Sequence, residues 1–313
     1  MISVVIPLFN EEESLAELFN QLAAVAAKES LEFEVIFVDD GSTDGSWSAI
    51  QGLAVADPRV RAIRFRRNFG KAAGLTAGFK AARGETIVMM DADLQDDPLE
   101  LPRLLSELDK GFDLVSGWKQ NRLDPADKVW PSRVFNAMVN ALTGMTLHDH
   151  NCGLKVMRAE VAREIRLYGD FHRFIPVLAL ARGFRVTELP VHHRPRAFGR
   201  SKYGVKRFLW GSVDLLTILF LTGFGRRPQH FLGGIGGLSF AAGCLALTIL
   251  CIEWVIRLFD PSAFPPLMER PLLLVSIGAI LSGAQMLSLG LISGFIASFH
   301  QTEEAYAVRE QIG

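Results

Sequence analysis

Short runs of β-branched and aliphatic residues alternate with helix-length amphipathic stretches through the first third of the chain. The run "ISVVIPLF" reads as a strand closed by Asn10, and a helical pattern follows from about Glu12 to Lys28. "FEVIFVDDGS" is a second strand ending in acids and Gly41, and "TDGSWSAIQGLAV" begins a helix capped by Ser42 or Thr43. "VRAIRFR" and "GETIVMMDAD" supply further strands, with "GKAAGLTAGFKAAR" as the helix between them. Strands alternating with helices predict an α/β fold, a mostly parallel sheet with right-handed crossovers and helices on both faces. Ligands of such sheets bind beyond the C-terminal strand ends, where Asn10, Asp40 and Asp91 fall.

The last third has another pattern. Neither Phe231–Ile252 nor Pro271–Phe299 contains a charged residue. A bilayer core needs about 20 apolar residues as helix, so both runs are long enough to span it. The short connection "EWVIRLFDPSAFPPLMER" makes them a transmembrane hairpin. Gly233, Gly234, Gly236, Gly237, Gly278, Gly283, Gly290 and Gly294 suit close helix packing in lipid. From Tyr203 to Phe224 basic and bulky apolar residues alternate, with Lys206 and Arg207 at one end, Trp210, and Asp214 as a single acid. That pattern predicts a helix lying in the membrane interface rather than a third span.

Charge sets the orientation. Residues 182–207 hold Arg182, Arg185, Arg194, Arg196, Arg200, Lys202, Lys206 and Arg207 against one acid, Glu188. The basic flank ending at Arg226 and Arg227 faces the cytoplasm, because the connection carries only Arg257 and Arg270. "MISVVIPLFNEEE" has no basic n-region or long apolar core, so no signal peptide is expected. The organisation expected is a soluble domain over 1–204, interfacial helix over 205–228, spans at about 231–252 and 271–299 within 229–300, and a cytoplasmic tail over 301–313. The protein is thus expected in the inner (plasma) membrane, with the soluble domain cytoplasmic and no nucleic acid as partner.

Composition adds little to this. A hydrophobic fraction of 49% and mean hydropathy of +0.23 run high for a soluble enzyme, and the net charge of -1 hides the uneven distribution. Cys152, Cys244 and Cys251 form no CxxC pair and no metal-ligand spacing, and are expected as buried reduced thiols.

The stretch "VMMDADLQDDP" carries the chemistry. Asp91, Asp93, Asp96 and Asp97 repel one another unless a cation or polar ligand compensates. Asp91 and Asp93 stand one residue apart past a strand end, so both carboxylates can reach one cation. Hard oxygen ligands suit Mg²⁺ or Mn²⁺, and Mg²⁺ shares its shell readily with substrate phosphates.

"VVIPLFNEE", "VDDGSTDGS", "RNFGKAAGLTAGF" and "DADLQDDP", in this order and spacing, resemble the family 2 glycosyltransferases of GT-A fold. Within them the chain is most similar to the polyprenyl-phosphate (dolichol-phosphate mannose synthase-like) group, and the likeness extends over the whole chain to the bacterial branch with two membrane helices. The resemblance implies that Pro7, Phe9, Asn10 and Glu11 cradle the nucleotide, that Asp40 reads the base edge, and that Gly70 and Lys71 lie near base and ribose. It implies that Asp91, Ala92 and Asp93 form the DxD contact to the nucleotide sugar and metal. Asp93 is then the surer ligand and a catalytic group, and Gln95 helps on the metal or diphosphate.

In "HDHNCGLKVM" the resemblance aligns Asp149 with the catalytic acid or base, while Cys152 and Lys155 depart from the commonest pattern of a small residue and Arg. A lipid phosphate is already ionised near neutral pH, so Asp149 has little proton to remove and is available to orient acceptor or sugar. His148 and His150 read as polar loop residues. Lys119, Arg122 and Arg133 match places where relatives hold the lipid phosphate, and Arg200, Ser201 and Lys202 in the GRSKY loop are candidates to close over the phosphates.

The expected activity is therefore inverting transfer of a hexose from a nucleotide-diphosphate sugar to polyprenyl phosphate, with UDP-glucose favoured and GDP-mannose as the alternative donor. A polysaccharide synthase is disfavoured because a QxxRW-like motif and further spans are missing. A catalytically inactive membrane adaptor is disfavoured because Asp91, Asp93 and Gln95 are all present. Assembly as a homo-oligomer through the membrane helices is a further expectation.

Overall fold

A computed structural model describes residues 1–120, 136–167, 169–195, 217 and 228–299. The chain divides into two compact units, Met1–Ile218 and Leu219–Gly313. The interfacial segment, apart from residues 217 and 228, and the tail over 301–313 lie outside the described residues, as do Arg122, Arg133, Arg200, Ser201 and Lys202.

In the first unit the alternating pattern becomes β1 (Ile2–Leu8), α1 (Leu15–Lys28), β2 (Phe33–Asp39), α2 (Ser46–Ala56), β3 (Val60–Arg64), α3 (Lys71–Ala81) and β4 (Thr86–Met89). Then come α4 (Leu101–Asp109), β5 (Leu114–Trp118), helical residues 136–143 (α5), β6 (Lys155–Arg158), α6 (Ala159–Glu164), α7 (Ile175–Ala181) and β7 (Val186–Pro190). The seven strands form one sheet in the order β3-β2-β1-β4-β6-β5-β7. Only β6 runs against its neighbours, pairing antiparallel with both β4 and β5. The α/β, mostly parallel expectation holds. Strand order reverses between β1 and β4, and that switch point opens a crevice beyond their carboxyl ends.

Burial explains why these segments hold together. Val4, Ile6, Phe37, Val88, Val115 and Val156 pack one sheet face against Leu15, Leu18 and Leu22 of α1 and Leu104 and Leu108 of α4. Each such side chain contributes about 1.5–3 kcal/mol on leaving water. On the other face α3 comes so close that a Cβ on Gly78 would stand 2.2 Å from Val5 Cγ1.

Two helix starts differ from expectation, for one reason. Helix α1 begins at Leu15 rather than near Glu12, and α2 at Ser46 rather than after Ser42 or Thr43. The intervening polar groups bind each other. Asn10 N–H donates to Ser42 Oγ (2.9 Å), Thr43 N–H to Asn10 Oδ1 (2.8 Å), Glu11 N–H to Ser46 Oγ (2.9 Å) and Gly45 N–H to Glu12 Oε2 (2.9 Å). Residues read as caps instead tie the β1 and β2 exit loops together.

The second unit is a hairpin of α8 (Pro228–Phe259) and α9 (Pro271–Phe299). Gln229–Phe259 and Pro271–Ser293 are long and apolar enough to cross a membrane, with mean hydropathies of 2.2 and 1.9. Leu238, Leu245, Leu274 and Leu291 point outward, as lipid-facing residues do. The first span is longer than the run Phe231–Ile252. The helix continues through Glu253 and Arg257, whose side chains bind Arg270 and the Phe264 carbonyl.

Only some glycines serve packing. A Cβ on Gly236 would meet Gly283 O at 2.8 Å, one on Gly283 would meet Phe240 N at 2.5 Å, and one on Gly290 would meet Gly233 N at 3.1 Å. A Cβ on Gly234, Gly237 or Gly278 would meet nothing within 4 Å beyond its own helix backbone. Of the cysteines Cys152 is buried, as expected, whereas Cys251 is exposed on the hairpin.

Candidate active site

The loops that leave the parallel strands build the crevice. After β2, Asp40 is 5% exposed and accepts two main-chain N–H groups, from Phe69 (2.7 Å) and Gly70 (2.8 Å). Gly70 has φ +92°, a conformation that suits glycine, and α3 starts at the next residue, Lys71. The Lys71 ammonium reaches across to Asp91 Oδ1. Pro7 is buried under α3, with its Cβ 3.1 Å from where a Gly74 Cβ would lie. Asn10 sits in the left-handed region, φ 55°.

After β4 the chain turns sharply. Leu94 takes φ 60° with its side chain buried, a strained conformation of the kind that gathers at functional sites. The turn brings Gln95 N–H to Asp93 Oδ1 (3.2 Å), and Asp91 N–H points at Asp96 Oδ2 (3.4 Å). Gly153 lies against this loop, where a Cβ would stand 2.6 Å from Asp91 Oδ2 and 2.7 Å from Asp96 Oδ2. Only glycine lets the 149–153 turn close on the acids.

Lys119, at the end of β5, places its ammonium 3.5 Å from Asp96 Oδ1. Burial works against its charge, but Asp96 and then Asp91 and Asp149 nearby hold the ammonium above the usual lysine range. Burial likewise opposes ionisation of Asp91, yet Lys71 and Lys119 outweigh it and bring the carboxyl down to about 2. Asp91 is therefore an anion at any physiological pH.

Asp149 is 1% exposed and caps its own turn through Asn151 N–H (3.0 Å). The turn is tied on several sides. Asn136 Nδ2 donates to His148 O (2.8 Å), Asn140 Nδ2 to Leu147 O (2.7 Å), and His150 Nε2 meets Asn140 Oδ1 at 2.8 Å. Lys155, 1% exposed, donates to the carbonyls of Cys152 and His150. Burial lowers the Lys155 pKa and, with the Lys155 charge, pulls His150 down to about 4, so that imidazole is neutral. Burial also pushes the Cys152 thiol up to about 12, an inert group. His150 is thus a buried turn support, not the polar loop residue its neighbourhood suggests.

Past β7 the chain crosses back over the acidic loop. Asp96 and His193 form an antiparallel bridge, Arg194 N–H donates to Gln95 O (2.9 Å), and the Arg194 guanidinium forks onto Asp97 at 2.6 and 3.1 Å. This charge-assisted fork fixes the acidic loop.

The structure thus brings Asp91, Asp93, Gln95, Lys71, Lys119 and Asp149 to one crevice. It gives Asp40 a main-chain clamp and Pro7 a packing role. Sequence reasoning missed Asp96 as the Lys119 partner, Gly153, Asp97 with Arg194, and Glu188. Among the described residues no three His, Cys, Asp or Glu side chains converge to cage a metal alone. Asp91, Asp93 and Gln95 nevertheless carry the hard oxygen donors that a divalent cation takes together with phosphates, so the donor set fits in kind; here Asp91 Oδ1 holds the Lys71 ammonium and Gln95 Nε2 stands 3.4 Å from His193 Nε2.

Comparison with known proteins decides the family. The family model "Glycosyl transferase family 2" matches residues 3–166. The dodecaprenyl-phosphate galacturonate synthase of Rhizobium johnstonii is 36% identical over 99% of this chain and 92% of its own length. The chain belongs to glycosyl transferase family 2.

The undecaprenyl-phosphate 4-deoxy-4-formamido-L-arabinose transferase of Pseudomonas paraeruginosa is 35% identical over 97% of this glycosyltransferase and 87% of its own length. Among solved structures, glucosyl-3-phosphoglycerate synthase from Mycobacterium tuberculosis, with Mn²⁺, UDP and phosphoglyceric acid, aligns at TM-score 0.56 and 18% identity. The alignment spans 71% of this chain and 78% of that one. At that identity the likeness establishes the fold, and the GT-A expectation stands.

Proposed function

We propose that this glycosyltransferase moves a sugar from a nucleotide-diphosphate donor to polyprenyl phosphate, with inversion, at the cytoplasmic face of the inner membrane. A phosphate oxygen of the lipid attacks the anomeric carbon while the bond from that carbon to the nucleotide diphosphate breaks, so one displacement gives polyprenyl-phospho-sugar and a nucleoside diphosphate. The observation that carries this reading is the crevice itself: ionised Asp91 with Asp93 and Gln95, flanked by Lys71 and Lys119. Two relatives whose names carry dodecaprenyl phosphate and undecaprenyl phosphate, and two helices of spanning length, support the lipid acceptor.

Asp91, Asp93 and Gln95 would hold Mg²⁺ or Mn²⁺, which when bound supplies positive charge against the departing diphosphate. Lys71 can leave Asp91 for a phosphate oxygen, since the pairing is between two side chains and the ammonium rides on the flexible lysine stem. Lys119 holds Asp96 in place. Asp149, fixed and buried, orients acceptor or sugar rather than removing a proton. Lys119, paired here with Asp96 at 3.5 Å, remains with Arg122, Arg133, Arg200, Ser201 and Lys202 among our candidates for the lipid phosphate, and Phe9, Asn10, Glu11, Asp40, Gly70 and Ala92 for the walls of the nucleotide site.

For the donor, UDP-glucose remains the first candidate on the two-span architecture. The named relatives make galacturonate and 4-deoxy-4-formamido-arabinose its direct competitors, and GDP-mannose gains nothing from them. Membranes containing the full chain, supplied with polyprenyl phosphate and Mn²⁺ or Mg²⁺, are to be tested with labelled UDP-glucose, UDP-galacturonate, the UDP-formamido-pentose and GDP-mannose. Label entering the organic-extractable lipid from one donor, and lost with EDTA, is the expected result. No lipid-phase label from any donor would remove the lipid-acceptor reading.

A further inference from the structure

Glu188 is the lone acid in the basic stretch 182–207, and glycosyl transfer as described above leaves it without a task. It sits on β7 opposite Ser116 of β5, with its side chain only 11% exposed. Its carboxylate gathers the start of the Asp149 turn. Both oxygens accept the His148 N–H (2.8 and 3.0 Å), Oε1 meets His148 Nδ1, and Oε2 stands 3.4 Å from the Asp149 N–H.

The His148 ring in turn stacks on Trp118, centroids 4.1 Å apart at 17°. Trp118 and His148 are the chain neighbours of Lys119 and Asp149. The stack ties the two segments together beside Lys119, which reaches Asp96 Oδ1 at 3.5 Å, and beside Asp149, which is 1% exposed.

We infer that Glu188 is a positioning residue for the glycosyl transfer. Through the His148 and Asp149 amides it fixes the turn that aims Asp149 into the crevice, and it touches neither donor nor acceptor. This rests on the role given to Asp149 under the proposed function. An acceptor group that preorganises a reacting side chain affects the chemical step more than ground-state binding.

The test uses the full chain in membranes with the donor found active, comparing Glu188→Gln, Glu188→Ala, Asp149→Asn and the double variant Asp149→Asn/Glu188→Gln. Glu188→Gln is expected to lower kcat about 10-fold and Glu188→Ala about 100-fold, with donor KM held within about two-fold. Adding Glu188→Gln to Asp149→Asn is expected to change kcat by less than about two-fold, because both act through one group. Losses that multiply in the double variant, or a rise in donor KM matching the fall in kcat/KM, would overturn the inference. Should Glu188→Ala lower the melting temperature sharply, the near-isosteric Glu188→Gln carries the same comparison. Wild-type turnover by Asp149→Asn would instead strike the role of Asp149, and this inference with it, an outcome distinguishable from multiplied losses.

Discussion

Asp40 and Asp91 come after two parallel strands of the same sheet and face the same crevice, yet their partners differ in kind. Both oxygens of Asp40 accept main-chain N–H groups, and the side chain is nearly out of solvent. Asp91 is half-buried and its partner is the ammonium of Lys71. A carboxylate saturated by backbone cannot leave its donors without unravelling a loop, so it is scaffold. One held by a lysine can exchange that partner for a cation and let the lysine follow a phosphate. The two are also linked, since Asp40 binds Gly70 N–H and Lys71 is the next residue.

The sharpest way to break this comparison is at the exchangeable acids. Asp93→Ala and Asp91→Asn are each expected to cut turnover by about 10²–10³-fold, the scale for losing one electrostatic stabiliser of a transition state. The melting temperature of Asp93→Ala should stay within about 2 °C of wild type, whereas Asp91→Asn also gives up the Lys71 pair and is expected to lose the modest stability that pair contributes. A drop in the Asp93→Ala melting temperature as large as that of Asp40→Asn would make Asp93 scaffold too.

Gly153→Ala comes next. Its new Cβ would stand within 2.7 Å of both Asp91 and Asp96 carboxylates, so the acidic loop or the Asp149 turn must shift. A displacement of this order costs up to about 100-fold in rate, read as a fall in kcat with the metal requirement retained.

Asp40→Asn should invert the Asp91 pattern. The amide keeps one acceptor and sets its own NH₂ against a backbone N–H, a loss of about 1–3 kcal/mol seen as a lower melting temperature. Donor KM should rise several-fold while kcat moves less.

The smallest effect is pH-dependent. The Asp91 pKa is depressed to about 2, so its pairing with Lys71 stabilises the fold fully above the unfolded value of about 3.9 and loses that contribution as pH falls through about 2. Wild type should therefore exceed Lys71→Met in thermal stability at neutral pH, with the gap closing between about pH 4 and pH 2. A gap that stays constant over that range would place the stabilising effect of Lys71 elsewhere.

Much of this architecture was legible because the code there is local. Short β-branched runs closed by polar residues gave β1, β2 and β4, and two charge-free runs gave the hairpin. The DxD acids stood out because like charges crowd after an apolar strand. The misreadings arose where side chains bind across the sequence rather than along it. Ser42 and Thr43 look like caps, but Asn10, more than thirty residues away, claims them. Nothing in the residue Gly153 announces that it must lie against Asp91, and Glu188 reads as a stray acid until β7 is paired with β5. Lys155 shows the same limit: a lysine in a strand looks solvated, yet it is buried because two turn carbonyls need a donor.

The most direct measurement is calorimetric binding of UDP to the full chain in detergent, with Mn²⁺ and with EDTA, for wild type, Asp93→Ala and Asp40→Asn. An exchangeable acidic pair beside a fixed clamp predicts tight binding only with Mn²⁺ in wild type, loss of the Mn²⁺ increment in Asp93→Ala, and weaker but still Mn²⁺-dependent binding in Asp40→Asn. Equal UDP affinity in EDTA and Mn²⁺, or an Asp93→Ala chain that keeps the full increment, would contradict it.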